Sequence, residues 1–185
     1  MNETPTLEQL IESARRDPEH ADFTALRMAF VTSDLYQPYG SAILTDLKGI
    51  ARNDDPQLAL GRVYSLIDRY PISIDAHTVA AILHRRCFEA DKALEHSAFV
   101  HGLLSCILKS GDGKSCETAF VVCDTSEEYA VLEVLNLKGA GQSLRQNGDQ
   151  WLDVFTVKSD SGADSEVHFD ITVPYKWLGR RFSRR

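Results

Sequence analysis

The chain has 185 residues, 43% hydrophobic and 25% charged, which suits one substantial core or two small fused halves and excludes wholesale disorder. Its formal net charge of -7 excludes non-specific nucleic-acid binding, which needs a basic surface to meet phosphates, and fits a partner that is itself basic. No run reaches the roughly 18 apolar residues of a membrane span, and Met1–Ile11 carries no basic or apolar leader, so the expected compartment is the cytoplasm, away from membranes.

The first 110 residues read as helical. Asp22 is a good N-cap for Phe23, Leu26 and Phe30 at helical spacing, and Pro38 and Gly40 mark a break after that helix. A second helix is expected over about Ser41–Ala51, with Ile43, Leu44, Leu47 and Ile50 on one face. Asp55-Pro56 starts a third, because Asp accepts backbone N–H bonds and Pro suits the first helical position; Pro71 stops it. Ser73 caps a fourth, running to about Arg86, whose terminal arginines complement the helix dipole. A long fifth helix is expected from about Asp91 to Lys109, apolar over a wide arc.

Helices three and five align. Gln57-Leu58-Ala59-Leu60 matches Asp91-Lys92-Ala93-Leu94 at a separation of 34, the tetratricopeptide period, and Pro71 falls twelve after Ala59. The repeat pair spans about residues 41–108. His77 and His84 stand where large apolar side chains are expected, and two repeats are fewer than stack stably alone, so the second half is expected to cover the open end.

Ser110-Gly111-Asp112-Gly113 ends the long helix, with Gly111 expected in the left-handed conformation. Thr118–Cys123 reads as a buried strand. Thr125-Ser126-Glu127-Glu128 has capping-box form, with Thr125 as cap and Glu128 three later, and opens a helix to about Leu137. Three further strands are expected at Gln142–Gln146, Trp151–Val157 and Glu166–Val173; Asn147-Gly148 marks a hairpin and Ser161–Asp164 a longer turn. Alternation of Val167, Phe169, Ile171 and Val173 with polar residues predicts one buried and one wet face. The expected fold is α+β: helical hairpins over 1–110, an antiparallel sheet of about four strands with one helix over 111–175, and a mobile basic tail over 176–185. The four cysteines lack paired spacing and are expected to be reduced, with Cys106 and Cys123 in the core and Cys116 the exposed thiol.

The segments Phe23–Phe30, Pro38-Tyr39-Gly40, Asp75-Ala76-His77, Gly102–Phe120, Glu127-Glu128-Tyr129 and Gly141–Leu144 resemble an uncharacterised bacterial family known only as a domain of unknown function. The resemblance covers most of the chain between about Asp22 and Val173. It implies a tetratricopeptide-like first half and supplies no activity and no catalytic residue.

Short motifs point only weakly to chemistry. Gly113-Lys114-Ser115 has the end of a phosphate loop, but Leu108 stands where its first Gly belongs, and the order helix–loop–strand is wrong for it. Asp112, Glu117 and Glu128, with His77 nearby, are the candidate acid–base set of a hydrolase or transferase at the junction of the halves. His77 and His84 are seven apart and His96 and His101 five, against the four of a helical metal pair, so neither metal nor cofactor is expected. The favoured expectation is a non-catalytic protein-binding module, in specific form an immunity-type protein that occludes a basic toxin or enzyme. Tyr36, Tyr39, Tyr64 and Tyr70 are its candidate anchors. A structural subunit of a larger assembly is the remaining alternative.

Overall fold

The computed structural model describes residues 4–39, 47, 49–52, 54–158 and 164–182. They form two compact units, Met1–Leu103 and Leu104–Arg185. The α+β class read from the sequence is the one observed, helical first and sheet-containing second.

The first unit opens with a helix that periodicity alone did not reveal, α1 (Leu7–Arg16). Thr6 and Gln9 form a capping box, each side chain bonding the other's backbone N–H, and this satisfies two donors that a helix start leaves orphaned. Helix α2 (Phe23–Thr32) starts where Asp22 accepts the N–H of Ala25. It buries Phe23, Leu26 and Phe30, and Phe23 packs edge-on against Phe99 at 5.1 Å. Most of the expected helix at 41–51 lies outside the described residues; residues 49–51 are helical.

Helix α3 (Pro56–Arg69) is capped by Asp55, whose carboxylate accepts from Gln57 and Leu58 N–H. Helix α4 (Ile74–Arg86) is capped by Ser73. They pack through Ala59, Leu60, Val63 and Ile67 against Ala76, Ala80 and Leu83, with Leu47 and Ile50 in the same core. Helix α5 (Ala90–Lys109) buries Ala93, Phe99, Leu103 and Ile107. The aligned alanines Ala59 and Ala93 are both buried.

The second unit is a four-stranded sheet in the order β1-β4-β3-β2, where β1 is Phe120–Val121, β2 Lys138–Asn147, β3 Gln150–Lys158 and β4 Asp164–Asp170. The pairs β2·β3 and β3·β4 are antiparallel, whereas the short β1 runs parallel to β4. The hairpin at Asn147-Gly148 is present: Asn147 pairs with Gln150, and Gly148, first of the two loop residues, has φ +59°. Strand β2 lies at the edge, every residue exposed, with a register shift between Gly139 and Gly141.

Helix α6 (Thr125–Val134) starts one residue earlier than expected. Asp124, not Thr125, is the cap, accepting from Ser126 N–H, and Glu127 rather than Glu128 reaches back to the N–H of Cys123. Both glutamates are buried, and the shift leaves Glu128 without the capping bond that Glu127 makes.

Three further expectations are corrected. Strand β4 stops at Asp170, whose carboxylate accepts the N–H of Thr172, so Val173 lies in a helix, α7 (Thr172–Phe182), instead of a strand. Pro174 fits its first turn, where a missing N–H costs nothing. The tail read as mobile from Lys176 is therefore helical through Phe182, and Trp151 stacks on Tyr175 at 3.8 Å. The wet face of β4 is also drier than alternation predicted: Val167, His168 and Phe169 are all buried, because the 113–119 loop covers the side opposite α6 and His168 N–H donates to Gly113 C=O.

Gly111 does not adopt a left-handed backbone; Gly113 does, at φ +68°. Gly111 is required for another reason, since a Cβ there would press into the backbone carbonyls of Thr118 and Ala119. Gly111→Ala is expected to cost the second unit about 1–3 kcal/mol. Urea unfolding followed at Trp151 and Trp177 measures it.

Candidate functional site

In the first unit the histidines singled out by sequence converge on a buried polar chain. His77, on α4, is 1% exposed; its Nε2 donates to the Pro71 carbonyl at 3.1 Å and its ring stacks on Phe99 at 4.1 Å. Its Nδ1 lies 3.0 Å from His96 Nδ1 on α5. His96 Nε2 lies 3.2 Å from the Tyr64 hydroxyl on α3, which is 2.8 Å from His84 Nε2 on α4. His84 Nδ1 is 2.7 Å from a Glu89 carboxylate oxygen, and Lys92 holds the other Glu89 oxygen at 2.7 Å.

Proton counting fixes the state of this chain. Five hydrogen bonds run between two terminal acceptors, the Pro71 carbonyl and the Glu89 carboxylate, and each needs one proton. Three neutral imidazoles and one phenol supply four. The fifth is one proton more than the neutral side chains carry. Burial first, then repulsion from His96, drives His77 down to about 3, and burial with repulsion from His84 drives His96 down to about 4. Both are therefore neutral, while the bonds from Lys92 and His84 hold Glu89 below the usual carboxylate range. The remaining proton belongs to the 2.7 Å contact between His84 Nδ1 and the Glu89 carboxylate. His77 donates from Nε2, His96 from Nδ1, and Tyr64 donates to His96 while accepting from His84.

Such a chain orders three helices, with its inner end on a backbone carbonyl and every ring nitrogen of the three histidines given a partner. Among the described residues no group of His, Cys, Asp or Glu is arranged to hold a metal ion. His101 is exposed and outside the chain of bonds. His77, one of the candidate acid–base residues, has all of these partners within the first unit.

The candidate carboxylates do not form one constellation either. Asp112 is exposed and accepts from Thr118 Oγ1 at 2.6 Å and Lys114 N at 3.0 Å, closing the 112–118 loop on itself, with the N–H groups of residues 112 and 113 bonded to Thr118 C=O. Its pKa is lowered by the Thr118 bond, and that of the exposed Glu117 by a Ser115 bond. The Gly113-Lys114-Ser115 segment in that loop opens no helix and has no phosphate-loop form.

Glu128 is 0% exposed and both of its oxygens lack a hydrogen-bond partner. Burial first, then repulsion from Asp153, Asp124 and Glu127, raises it to about 9, so it is a protonated acid at neutral pH. Asp153, half-buried on β3, is also raised by burial and accepts one bond, from Gln142 Nε2 at 2.7 Å.

Of the four tyrosines, Tyr36 and Tyr70 are core residues; Tyr36 packs edge-on against Phe30 and Tyr70 ends α3. Tyr39 and Tyr64 remain partly exposed. The side chain most available to a partner was not among them. Phe88 is 96% exposed and has φ +60°. It occupies the left-handed position of a Schellman motif ending α4, with Glu89 N–H donating to His84 C=O at 2.9 Å and Phe88 N–H to Arg85 C=O at 3.1 Å. Glycine is the usual residue there, and a Phe costs roughly 1 kcal/mol more. The dipeptide Phe88-Glu89 between two periodic helices was the available signal. No disulfide joins the four cysteines; Cys123 is buried, and Cys106 and Cys116 are both half-buried.

Two measurements check these assignments. Long-range 1H–15N spectra near pH 6 should show His77 protonated at Nε2 alone and His96 at Nδ1 alone. For Glu128, the unfolded chain releases the proton near 4.5 whereas the folded chain keeps it to about 9. The second unit is thus most stable below that interval and loses stability as pH rises through it. Glu128→Gln should flatten that loss in urea titrations at pH 5, 7 and 9.

No curated protein and no solved structure matches the chain. A family model described as a domain of unknown function, DUF4919, matches residues 18–177. The chain therefore belongs to the DUF4919 family.

Proposed function

We propose that the protein is a non-catalytic protein-binding module. The carrying observation is Phe88: a bulky aromatic left in water, on a backbone conformation that disfavours it, makes sense as an anchor for another chain. Ile82, Leu94 and Tyr64 on the neighbouring helices are also exposed and add apolar area in the same unit. The 34-residue offset between α3 and α5, with Ala59 and Ala93 equivalently buried, supports a tetratricopeptide-like arrangement, an architecture that commonly grips peptides and proteins.

The net charge of -7 favours a basic partner. An immunity-type protein that occludes a cytoplasmic toxin or enzyme is the specific form of this reading, supported by small size and acidity. A transferase or hydrolase has less support, because Asp112 and Glu117 are committed to their own loop and Glu128 is sealed from substrate.

Phe88→Gly separates binding from folding. The substitution suits φ +60°, so stability should hold or rise by up to about 1 kcal/mol, while affinity for the partner falls at least about tenfold. A photo-crosslinking residue at position 88, used in native cells, captures the partner for that comparison. A basic protein captured, with binding lost in Phe88→Gly, supports the reading. Unchanged affinity of Phe88→Gly for the captured protein overturns it, and crosslinking solely to further copies of the chain replaces it with a structural subunit.

A further inference from the structure

Strand β2 ends the sheet: among the described residues it pairs with β3 alone, and each of its ten residues is exposed. The backbone N–H and C=O groups along its outer margin therefore face water. Strand partners share a face, so Gln142 and Leu144 lie on the same side as Phe155 and Asp153. That is the side of α6, because Tyr129 packs edge-on against Phe155 at 5.7 Å. Leu144 is 53% exposed there, so α6 leaves this face of β2 open.

Between α6 and β2 runs a cleft of about 610 Å3, walled by Tyr129, Leu132, Leu137 and Phe155, with Gln142 on the strand side. Its lining also includes Glu133 and Lys138, whose opposite charges cancel, so the group that suits it is apolar. At the end of the strand Lys138 pairs in register with Lys158. Like charges directly opposite destabilise a sheet. Among the described residues neither lysine has an ion pair, whereas Arg145 on the same strand is held by Glu166. Strand β2 contains no acid, so a second copy of it would set the same cations against one another.

We propose that this margin takes up an extended segment of another protein as a fifth strand. The backbone of that segment ladders onto Gly141–Asn147, where the register is regular. One of its apolar side chains enters the cleft beside Gln142, and an acidic side chain near its end meets Lys138. Main-chain hydrogen bonds supply affinity with little sequence preference, while the cleft and the lysine pair supply specificity. The acid relieves the repulsion between Lys138 and Lys158. It is a local requirement of a strand whose only charges are positive. The surface belongs to the second unit and is independent of Phe88, so the failure of either leaves the other standing.

The test is selection of random dodecapeptides displayed on phage against the immobilised full chain, followed by titration of the enriched peptides in solution. The expected consensus is one bulky apolar residue and one Asp or Glu at a fixed spacing. N-methylation of alternate backbone amides in the best peptide should abolish binding in one phase of the alternation and spare it in the other, because successive N–H groups of a strand point to opposite sides. Lys138→Glu should weaken that peptide about fivefold or more, and exchanging the peptide's acid for Lys should restore the loss. Tyr129→Ala should weaken it at least about tenfold while the melting transition stays cooperative, as an independent variant of the cleft. No enriched peptide, insensitivity to N-methylation in both phases, or affinity unchanged in either variant overturns the proposal. Peptides that depend on Phe88 instead, losing affinity with Phe88→Gly and keeping it with Lys138→Glu, belong to that other surface and overturn it as well.

Discussion

Five hydrogen bonds strung between two acceptors cannot be made by neutral side chains alone, and this constraint organises the first unit. The chain from Pro71 through His77, His96, Tyr64 and His84 to Glu89 touches α3, α4, α5 and the α4–α5 loop. Its bonds are directional where apolar packing is not, so it pins the rotation of each helix about its own axis. The retained proton is the condition for complete satisfaction. Falling pH acts against it, because His77 and His96 are neutral when folded but take up protons below 6.5 when unfolded, and stability drains as pH drops toward 4 and then 3.

The second unit treats buried polarity in the opposite way. Its partnered acid, Glu127, spends its carboxylate on the backbone of Cys123, while its neighbour Glu128 bonds nothing. A fully satisfied network stiffens a fold, whereas an unsatisfied acid weakens it and is retained at a cost. The two units thus carry opposite pH liabilities: acid attacks the histidines of the first, alkali the glutamic acid of the second.

Much of the architecture was legible in the sequence, because caps and turns are local. Asp22, Asp55 and Ser73 begin the helices they mark, and Asn147-Gly148 turns the hairpin. Helix α1 was missed because its apolar residues are sparse, although Thr6 and Gln9 carry its capping box. Helix α7 was missed because Val167–Val173 continues an alternating pattern past Asp170, where a side-chain bond to Thr172 ends the strand. The candidate sites were less legible, since they depend on distance through space. Spacings of seven and five gave no hint that His77, His84 and His96 meet around Tyr64, and a one-residue cap shift decided which of two adjacent buried glutamates is bonded to the backbone. Exposure of Phe88 is likewise invisible in a pattern that treats every Phe as core.

Strand β2 exposes all ten of its residues at the margin of the sheet. Such a margin is an open template on which another extended chain can continue the hydrogen-bond ladder. The extra residue at Ala140 interrupts the regular spacing of those groups, and Lys138 places positive charge on the same border. Deleting Ala140 would straighten the border into an uninterrupted run, and the molecule would then be prone to fibrous self-assembly through a surface it now keeps irregular.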